Sequence, residues 1–203
     1  MKQYVISGIG TEVGKTVVSA IVSEALQATY WKPVQAGELN DTDSHKVERL
    51  TSNVRVLPEL FQLNEPLSPH AAAEIDGVEL NISSFILPNV ATNLVIEGAG
   101  GILVPINKNG LLYADVFQKW NLPVIIVSRH YLGSINHSLL TAEVLKNRGI
   151  KIAGWIFVGD ENKTTESIIL KITGIPMIAR IPMVDKVTKE FVSEQALKIA
   201  SQL

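Results

Sequence analysis

Residues near the start of the chain have the types and order of a phosphate-binding loop. The stretch GIGTEVGKT ends in Gly14, Lys15 and Thr16, the combination in which a lysine neutralises phosphate charge and a hydroxyl ligates Mg²⁺. The usual motif has four residues between its two glycines, which would place the first glycine at position 9. Ile9 stands there, flanked by Gly8 and Gly10. The stretch therefore predicts a variant phosphate loop, one residue longer than the usual one.

A glycine turn with an incidental Gly-Lys-Thr is the alternative interpretation. The short apolar run Tyr4–Ser7 precedes the loop, and an amphipathic helical pattern starts near Lys15. At such a strand-to-helix junction, free backbone N–H groups and the helix dipole favour a polyphosphate. We therefore favour the phosphate loop. The apolar stripe of the helix comprises Val17, Val18, Ile21, Val22, Ala25 and Leu26.

Short apolar runs that alternate with helical patterns recur along the chain. They are rich in Val and Ile and barely alternate with polar residues, as strands buried on both faces do. This order predicts one α/β domain over residues 1–203, a P-loop NTPase fold with a mostly parallel sheet and helices on both faces. The segment Glu38–Leu87 is less regular, and we expect short helices over the sheet edge there. The predicted strands are Tyr4–Ser7, Tyr30–Val34, Leu94–Ile96, Val124–Val127, Ile152–Val158 and Met177–Ile181, and a second helical stripe comprises Ile135, Leu139, Ala142 and Leu145.

Charged residues stand at the ends of two predicted strands. Glu97 ends the run NLVIE, and Lys32 directly precedes Pro33. The carboxyl ends of parallel strands meet at one edge of a sheet, so both side chains are expected near the phosphate loop. For Lys32 the alternative is a lysine that extends from a strand end into solvent. Asp43 lies in a polar loop, where spacing alone leaves a metal ligand and a helix N-cap equally open.

Composition excludes several classes of function. The 203 residues carry a net charge of −2 without a basic cluster, so we expect no nucleic-acid partner. The absence of cysteine excludes disulfides, thiol catalysis and cysteine-ligated metals. No run approaches the roughly 20 apolar residues of a membrane span, and the apolar run after Met1 is too short for a signal peptide. We therefore expect a cytoplasmic protein with no membrane partner.

Five further stretches combine with TEVGKT: YWKPVQAG, DTDSHKV, EPLSPH, VIEGAGG and LGSINHSLLTAEVL. Together, in this order, they resemble the dethiobiotin synthetases, the ATP-dependent carboxylases of biotin biosynthesis. The resemblance runs from the first strand to about residue 184 and includes the lengthened spacing of the loop. It implies that 7,8-diaminononanoate, CO₂ (or bicarbonate) and MgATP give dethiobiotin, ADP and phosphate, through a carbamate and a carbamic-phosphoric anhydride, in a homodimer.

The resemblance also assigns roles to individual residues. Lys15, Lys32 and Thr11 are expected to be catalytic, and Thr16, Asp43 and Glu97 to hold Mg²⁺. A diamine site is expected at Thr11, Lys32, Gly100, Gly133, Ser134, Ile135 and Asn136, with the tail carboxylate bound across the dimer interface. Nucleotide and Mg²⁺ contacts are expected from Glu12, Val13, Gly14, Lys15, Thr16, Val17, Asp43, Glu97, Gly98, Ala99, Gly100, Gly159, Pro182, Met183 and Val184.

Two positions depart from the resemblance. Ala36 stands where the family often has a serine that contacts substrate. Val158 stands where the family has an asparagine that pairs with the adenine edge, and valine can neither donate nor accept a hydrogen bond. His70 and His137 are interpreted as residues that order their loops.

Two other classes remain as alternatives. Partition-type and septum-positioning ATPases carry a second lysine five residues before the loop lysine, where this chain has Gly10. An amidotransferase-type synthetase would need a glutaminase domain with a catalytic cysteine, and the chain has no cysteine.

Overall fold

A seven-stranded sheet in which all neighbouring strands are parallel forms the centre of the protein, in a computed structural model that describes residues 1–203. The strand order is β4-β2-β6-β1-β7-β8-β9, and β3 pairs with β5 in a separate two-stranded sheet. The strands are β1 Gln3–Gly8, β2 Thr29–Trp31, β3 Val34–Ala36, β4 Arg55–Leu57, β5 Phe61–Leu63, β6 Leu94–Gly101, β7 Val124–Arg129, β8 Ile152–Val158 and β9 Met177–Ile181.

Seven α-helices cover this sheet. Helix α1 packs against α2 and α7, and α5 packs against α6. The predicted α/β P-loop fold, with its mostly parallel sheet, is confirmed. The helices are α1 Lys15–Leu26, α2 Asp43–Leu50, α3 Pro69–Ile75, α4 Tyr113–Trp120, α5 Ser134–Asn147, α6 Lys163–Thr173 and α7 Lys189–Ile199.

The strands β1, β6 and β7 form the middle of the core. Their side chains from Val5 to Ser7, Leu94 to Glu97 and Val124 to Ser128 are buried almost completely, which explains the continuous apolar runs of the sequence. Trp31, Trp120 and Trp155 are buried as well, so these tryptophans pack within the interior. The sheet therefore holds the carboxyl end of β1, from which the phosphate loop emerges, between two rigid neighbours.

The predicted strand Tyr30–Val34 is wrong as a single element. Strand β2 ends at Trp31, and the chain after Pro33 joins the separate sheet. Proline has no N–H to donate to the ladder of the main sheet. Its carbonyl instead accepts hydrogen bonds from the N–H groups of Leu60 and Phe61 at 3.0 and 2.9 Å. This break turns the residues after Lys32 out of the main sheet.

The segment Glu38–Leu87 contains two short helices, as expected, and two strands that were not predicted. Strand β4 pairs with β2 and extends the edge of the main sheet, while β5 pairs with β3. Each strand has only three residues, too few for a periodic pattern to reveal. Strand β6 also continues past Glu97 to Gly101, beyond the predicted end at Ile96.

No helix of the structure combines the length and the apolar character that crossing a bilayer requires.

Candidate active site

The loop between β1 and α1 explains the displaced glycine of the sequence. A Cβ atom on Gly8 would lie 2.6 Å from Val13 Cγ2 and 2.8 Å from the carbonyl oxygen of Gly10, so only glycine fits there. A Cβ atom on Gly10 would meet nothing within 4 Å. Gly14 has a φ of 94°, in the left-handed region that favours glycine, and immediately precedes α1. The two glycines that the loop requires are therefore Gly8 and Gly14, with five residues between them.

Lys15 lies over this loop and its ammonium is mostly enclosed. The Nζ atom donates to the carbonyl oxygen of Gly10 at 3.0 Å. Burial, together with the nearby Lys32 ammonium, lowers the pKa of Lys15 to about 8. The ammonium is therefore poorly solvated, which disfavours its charge. An anionic phosphate on the loop would offset this cost.

One hydroxyl and two carboxylates from distant parts of the chain meet at the start of α1. Thr16 Oγ1 lies 2.9 Å from Asp43 Oδ1 and 3.0 Å from Glu97 Oε1. Thr16 is on α1, Asp43 is the first residue of α2, and Glu97 is on β6, the neighbour of β1. The N-cap of α2 is Thr42, whose hydroxyl accepts from the N–H of His45 at 3.2 Å. The N-cap interpretation of Asp43 is therefore wrong, and its carboxylate faces the site.

This oxygen cluster fits a magnesium ion in both chemistry and spacing. Mg²⁺ prefers hard oxygen ligands at about 2.0–2.1 Å in octahedral geometry, in which neighbouring ligands lie about 3.0 Å apart. The two distances from Thr16 Oγ1 match that separation. The structure holds no group of three or more His, Cys, Asp or Glu side chains that would form an all-protein metal site. With two carboxylates and one hydroxyl as ligands, a Mg²⁺ ion would keep coordination positions for phosphate oxygens and water, as in phosphoryl-transfer sites.

Lys32 connects the two carboxylates of this cluster. Its Nζ atom lies 2.7 Å from Asp43 Oδ2 and 3.1 Å from Glu97 Oε1, and it donates to the carbonyl oxygen of Gly98 at 3.0 Å. Burial alone would lower the pKa of Lys32, but Glu97 and Asp43 outweigh it and raise the pKa above its usual value. Burial would likewise raise the pKa of Asp43, but Lys32 holds it below the usual range. The alternative of a solvent-exposed Lys32 is wrong.

Two buried residues that the sequence did not single out support these carboxylates. Tyr30 donates its hydroxyl to Glu97 Oε2 at 2.9 Å. Gln35 accepts from the backbone N–H of Asp43 at 3.2 Å and donates to the carbonyl oxygen of Gly37 at 3.0 Å. The only available signal was the spacing of Tyr30 and Lys32, two residues apart and hence on one side of a strand.

A cavity of about 840 Å³ opens over this cluster. It brings together the phosphate loop, the charged residues and the turn after Glu97, and its other wall comes from β3, α2 and the segment before α3. Ala36 lines it without offering a hydrogen bond. The predicted site residues that line this cavity are Thr11, Glu12, Gly14, Lys15, Thr16, Val17, Lys32, Asp43, Glu97, Ala99 and Gly100.

A smaller, mostly apolar cavity of about 150 Å³ adjoins the other side of the loop. Glu12, Gly14 and Val17 line both cavities, so the two are neighbours. Val158 lies in its wall, and its only charged lining residues are Glu12 and Arg129. Gly159, at a φ of 125°, lies next to it and donates its N–H to the carbonyl oxygen of Ile181 at 3.0 Å. The lining includes the predicted residues Pro182, Met183 and Val184.

Some predicted site residues lie outside both cavities. The stretch Gly133–Asn136 forms the start of α5, beside the fully exposed Leu132. The Val13 side chain is buried beneath the loop, and Gly98 contributes its carbonyl to Lys32. His137 pairs with the Tyr131 hydroxyl at 2.6 Å. Within one chain, the Gly133–Asn136 stretch is therefore separate from the phosphate site.

The fold and the loop define a P-loop nucleotide-binding protein. The sequence model of an AAA domain matches residues 2–191. The cell division ATPase MinD of Pyrococcus furiosus superposes with a TM-score of 0.59 at 15% identity, covering 100% of this chain and 98% of that one. A ParA family ATPase from Chlorobium tepidum gives a TM-score of 0.52 at 15% identity, covering 100% and 91%. At such identity these likenesses establish the fold alone.

The chain belongs to the ATP-dependent dethiobiotin synthetase family. It is 53% identical over 204 residues to the ATP-dependent dethiobiotin synthetase of Christiangramia forsetii, covering 100% of this chain and 98% of the relative. The synthetase of Cytophaga hutchinsonii is 47% identical over 202 residues, covering 98% and 97%. The resemblance found in the motifs is thereby confirmed over nearly the whole chain.

Proposed function

We propose that the protein converts 7,8-diaminononanoate, CO₂ and ATP into dethiobiotin, ADP and phosphate. The observation that carries the proposal is the position of Lys32. Its buried ammonium lies 3.1 Å from Glu97 at the cavity wall next to the phosphate loop, in a chain 53% identical to a synthetase of this name. A cation at that position would act on both the terminal phosphate of a nucleotide on the loop and a second reactant in the large cavity.

The first step forms a carbamate. An amine nitrogen of the diamine attacks the carbon of CO₂, a C–N bond forms, one C=O π bond gives its electron pair to oxygen, and the nitrogen loses a proton to solvent. The carbamate is anionic, and the ammonium of Lys32 is the buried cation that can stabilise it. Thr11, on the loop side of the cavity, is positioned to contribute a hydroxyl to the same reactant.

The second step transfers the phosphoryl group. A carbamate oxygen attacks the γ-phosphorus while the bond to the β-phosphate oxygen breaks, giving ADP and a carbamic-phosphoric anhydride. The loop amides and Lys15 hold the phosphates, and placement with charge neutralisation supplies most of the acceleration. When bound by Thr16, Asp43 and Glu97, Mg²⁺ would neutralise charge on the phosphate oxygens.

The third step closes the ureido ring. The second amine attacks the carbonyl carbon of the anhydride, the bond to the phosphate oxygen breaks, and inorganic phosphate leaves. The amine proton passes to solvent or to the departing phosphate. The residues named above need only hold both amines on one side of the phosphoryl group, which a cavity of about 840 Å³ allows.

The diamine tail is proposed to reach the start of α5 in a second copy of the chain. The amide groups of Gly133–Asn136 lie outside the cavity of their own chain, and Tyr131 and Leu132 just before them and Leu140 further along α5 are exposed. A homodimer would bury these apolar side chains and bring a helix start to the substrate carboxylate. We further propose that the enzyme works in the cytoplasm.

Phosphate release measured with and without the diamine tests this function. Purified protein is incubated with MgATP and bicarbonate, and dethiobiotin is identified by mass spectrometry. We expect release to depend on the diamine and to match product formed. Release stimulated by DNA or lipid vesicles, with none caused by the diamine, would instead support a switch ATPase.

A further inference from the structure

Tyr30, on β2, and Lys32, the residue that directly follows β2, hold the two oxygens of one carboxylate. They are two residues apart, and both side chains reach Glu97. The Tyr30 hydroxyl donates to Glu97 Oε2 at 2.9 Å, and the Lys32 ammonium donates to Glu97 Oε1 at 3.1 Å. Strand β6, which carries Glu97, is the direct neighbour of β2, and Tyr30 pairs in register with Val95.

The two oxygens of Glu97 have different partners. Lys32 and Thr16 both reach Oε1 of Glu97, the oxygen that faces the phosphate loop and Asp43. Oε2 has the Tyr30 hydroxyl as its hydrogen-bond donor, and the Glu97 side chain has no exposed surface. A carboxylate turns readily about its last torsion unless both oxygens are held. Tyr30 therefore fixes the rotation of the group that Thr16 and Lys32 contact from the other side.

The hydrogen bond from Tyr30 to Glu97 is enclosed within the protein. The Tyr30 side chain is fully buried, so water does not compete for its hydroxyl. Without it, Glu97 Oε2 would be buried with no partner.

We propose that Tyr30 is a positioning residue that sets the orientation of Glu97 for the nucleotide-bound metal ion. The inference rests on the proposed function only in assuming that the protein binds a metal–nucleotide complex. Supporting groups behind metal ligands typically change metal affinity or activity by roughly 10–100-fold when removed. Tyr30 acts through Glu97 and does not line the cavity itself.

Binding of Mn²⁺, a probe for the Mg²⁺ site, tests the proposal without any turnover. The Mn²⁺ dissociation constant of the complex with a non-hydrolysable ATP analogue is measured by electron paramagnetic resonance for wild type and Tyr30→Phe. We expect Tyr30→Phe to weaken Mn²⁺ binding by about tenfold. Equal affinity in a folded variant would overturn the proposal.

Tyr113→Phe is the matched control. Tyr113 is also fully buried and lies close enough to Lys32 and Glu97 for their charges to act on its pKa. Its hydroxyl lies near the backbone of Ala99 but meets no partner with hydrogen-bond geometry. Removing this hydroxyl should leave Mn²⁺ affinity unchanged. An equal loss in both variants would indicate general disturbance of the site and refute a specific role of Tyr30.

A double substitution locates the effect at Glu97. In Glu97→Gln protein, Tyr30→Phe should change Mn²⁺ affinity much less than it does in wild type, because the carboxylate that it positions is gone. An undiminished tenfold effect in that background would show that Tyr30 acts elsewhere.

If Tyr30→Phe does not fold, the wild-type protein provides the test by NMR. A hydrogen–deuterium isotope shift at the ¹³C-labelled Glu97 carboxyl carbon, with metal and nucleotide bound, reports the hydrogen bond, and its absence would overturn the proposal.

Kinetics separate this inference from the proposed function. With diamine and bicarbonate saturating, Tyr30→Phe should lower kcat by about tenfold and change the KM for ATP by less than about threefold. If wild-type protein binds Mn²⁺ and nucleotide but makes no dethiobiotin, the proposed function fails while the Mn²⁺ comparison still decides the role of Tyr30. Normal turnover with identical Mn²⁺ affinities would refute the role of Tyr30 alone.

Discussion

The Lys32 ammonium and the Glu97 carboxylate lie 3.1 Å apart, and both side chains are almost completely buried. Asp43 adds a second carboxylate at 2.7 Å from the same ammonium. Losing one partner of a buried pair commonly costs about 3–5 kcal/mol, because the remaining charge has no partner. The candidate catalytic lysine is therefore also a structural member of the site, and activity changes must be read together with stability.

Lys32→Ala should lower kcat by about 100-fold or more and weaken ATP binding much less, because the lysine charge is needed mostly as the transition state forms. Steady-state kinetics at saturating diamine, with thermal unfolding of each variant, provide the measurement. Lys46→Ala is the comparison and should lower kcat much less, since Lys46 lines the same cavity but pairs with the exposed Glu38 and lies 4.0 Å from Asp43. An unchanged kcat with a large rise in the KM for ATP would contradict this role.

Lys15→Ala should nearly abolish turnover, because the terminal phosphate loses its main protein cation. We expect a loss of roughly 3 kcal/mol or more in transition-state stabilisation, measured as kcat/KM for ATP. Lys171→Ala, at an exposed position on α6, should behave as wild type. Activity of Lys15→Ala within tenfold of wild type would exclude the phosphate-loop role.

Base selectivity should be weak, because the wall of the smaller cavity has Val158 where the family has an asparagine. A bidentate base contact supplies about 1–3 kcal/mol of discrimination, so its absence should let GTP, CTP or ITP replace ATP with less than about tenfold loss. The measurement is kcat/KM for each nucleotide at saturating diamine and bicarbonate. Val158→Asn should raise the preference for ATP, and a wild-type preference above about a hundredfold would contradict the prediction.

Dimerisation should depend on the apolar surface beside α5. Leu132 is fully exposed in the single chain, and we expect Leu132→Glu to weaken the dimer and raise the KM for the diamine without changing ATP affinity. Analytical ultracentrifugation and steady-state kinetics measure both effects. Leu197→Glu, at another exposed leucine on α7, is the control. Wild-type protein that stays monomeric yet fully active at nanomolar concentration would refute the shared site.

Acid should remove a stabilising contribution from Glu166, a buried residue that lines neither cavity. Burial alone would raise its pKa, but hydrogen bonds from Arg180 and His130 outweigh this and lower the pKa below its usual 4.5. The ionised form therefore stabilises the folded state above about pH 4.5, and this contribution disappears as pH falls through the lower pKa of the folded protein.

Glu166→Gln tests that dependence by urea unfolding between pH 7 and pH 3. At pH 7 we expect a loss of about 2 kcal/mol, below the value for a fully buried pair because Arg180 keeps contact with solvent. The difference from wild type should shrink at acid pH. Glu161→Gln, which removes a more exposed partner of Arg180, should change stability by less than about 1 kcal/mol. A difference that is constant with pH would contradict the assignment.

The sequence by itself determined the features that lie close together along the chain. The strand, loop and helix from Tyr4 onward were recognisable because their signals are local: apolar runs, glycine spacing and a helical stripe. The Gly-Lys-Thr end of the loop specified Lys15 and Thr16, and Glu97 was specified by its place at the end of the buried apolar run NLVIE. These elements depend on steric and hydrophobic rules that act within a few residues.

Only the tertiary structure decided which distant residues meet. The two-residue spacing of Tyr30 and Lys32 does not show that β2 lies beside β6, so the hydrogen bond from Tyr30 to Glu97 could not be predicted. Asp43 was ambiguous for the same reason, because a helix N-cap and a metal ligand require the same residue type locally. Such choices depend on strand order and on chain segments brought together by burial of the whole core, and no local pattern of residues contains that information.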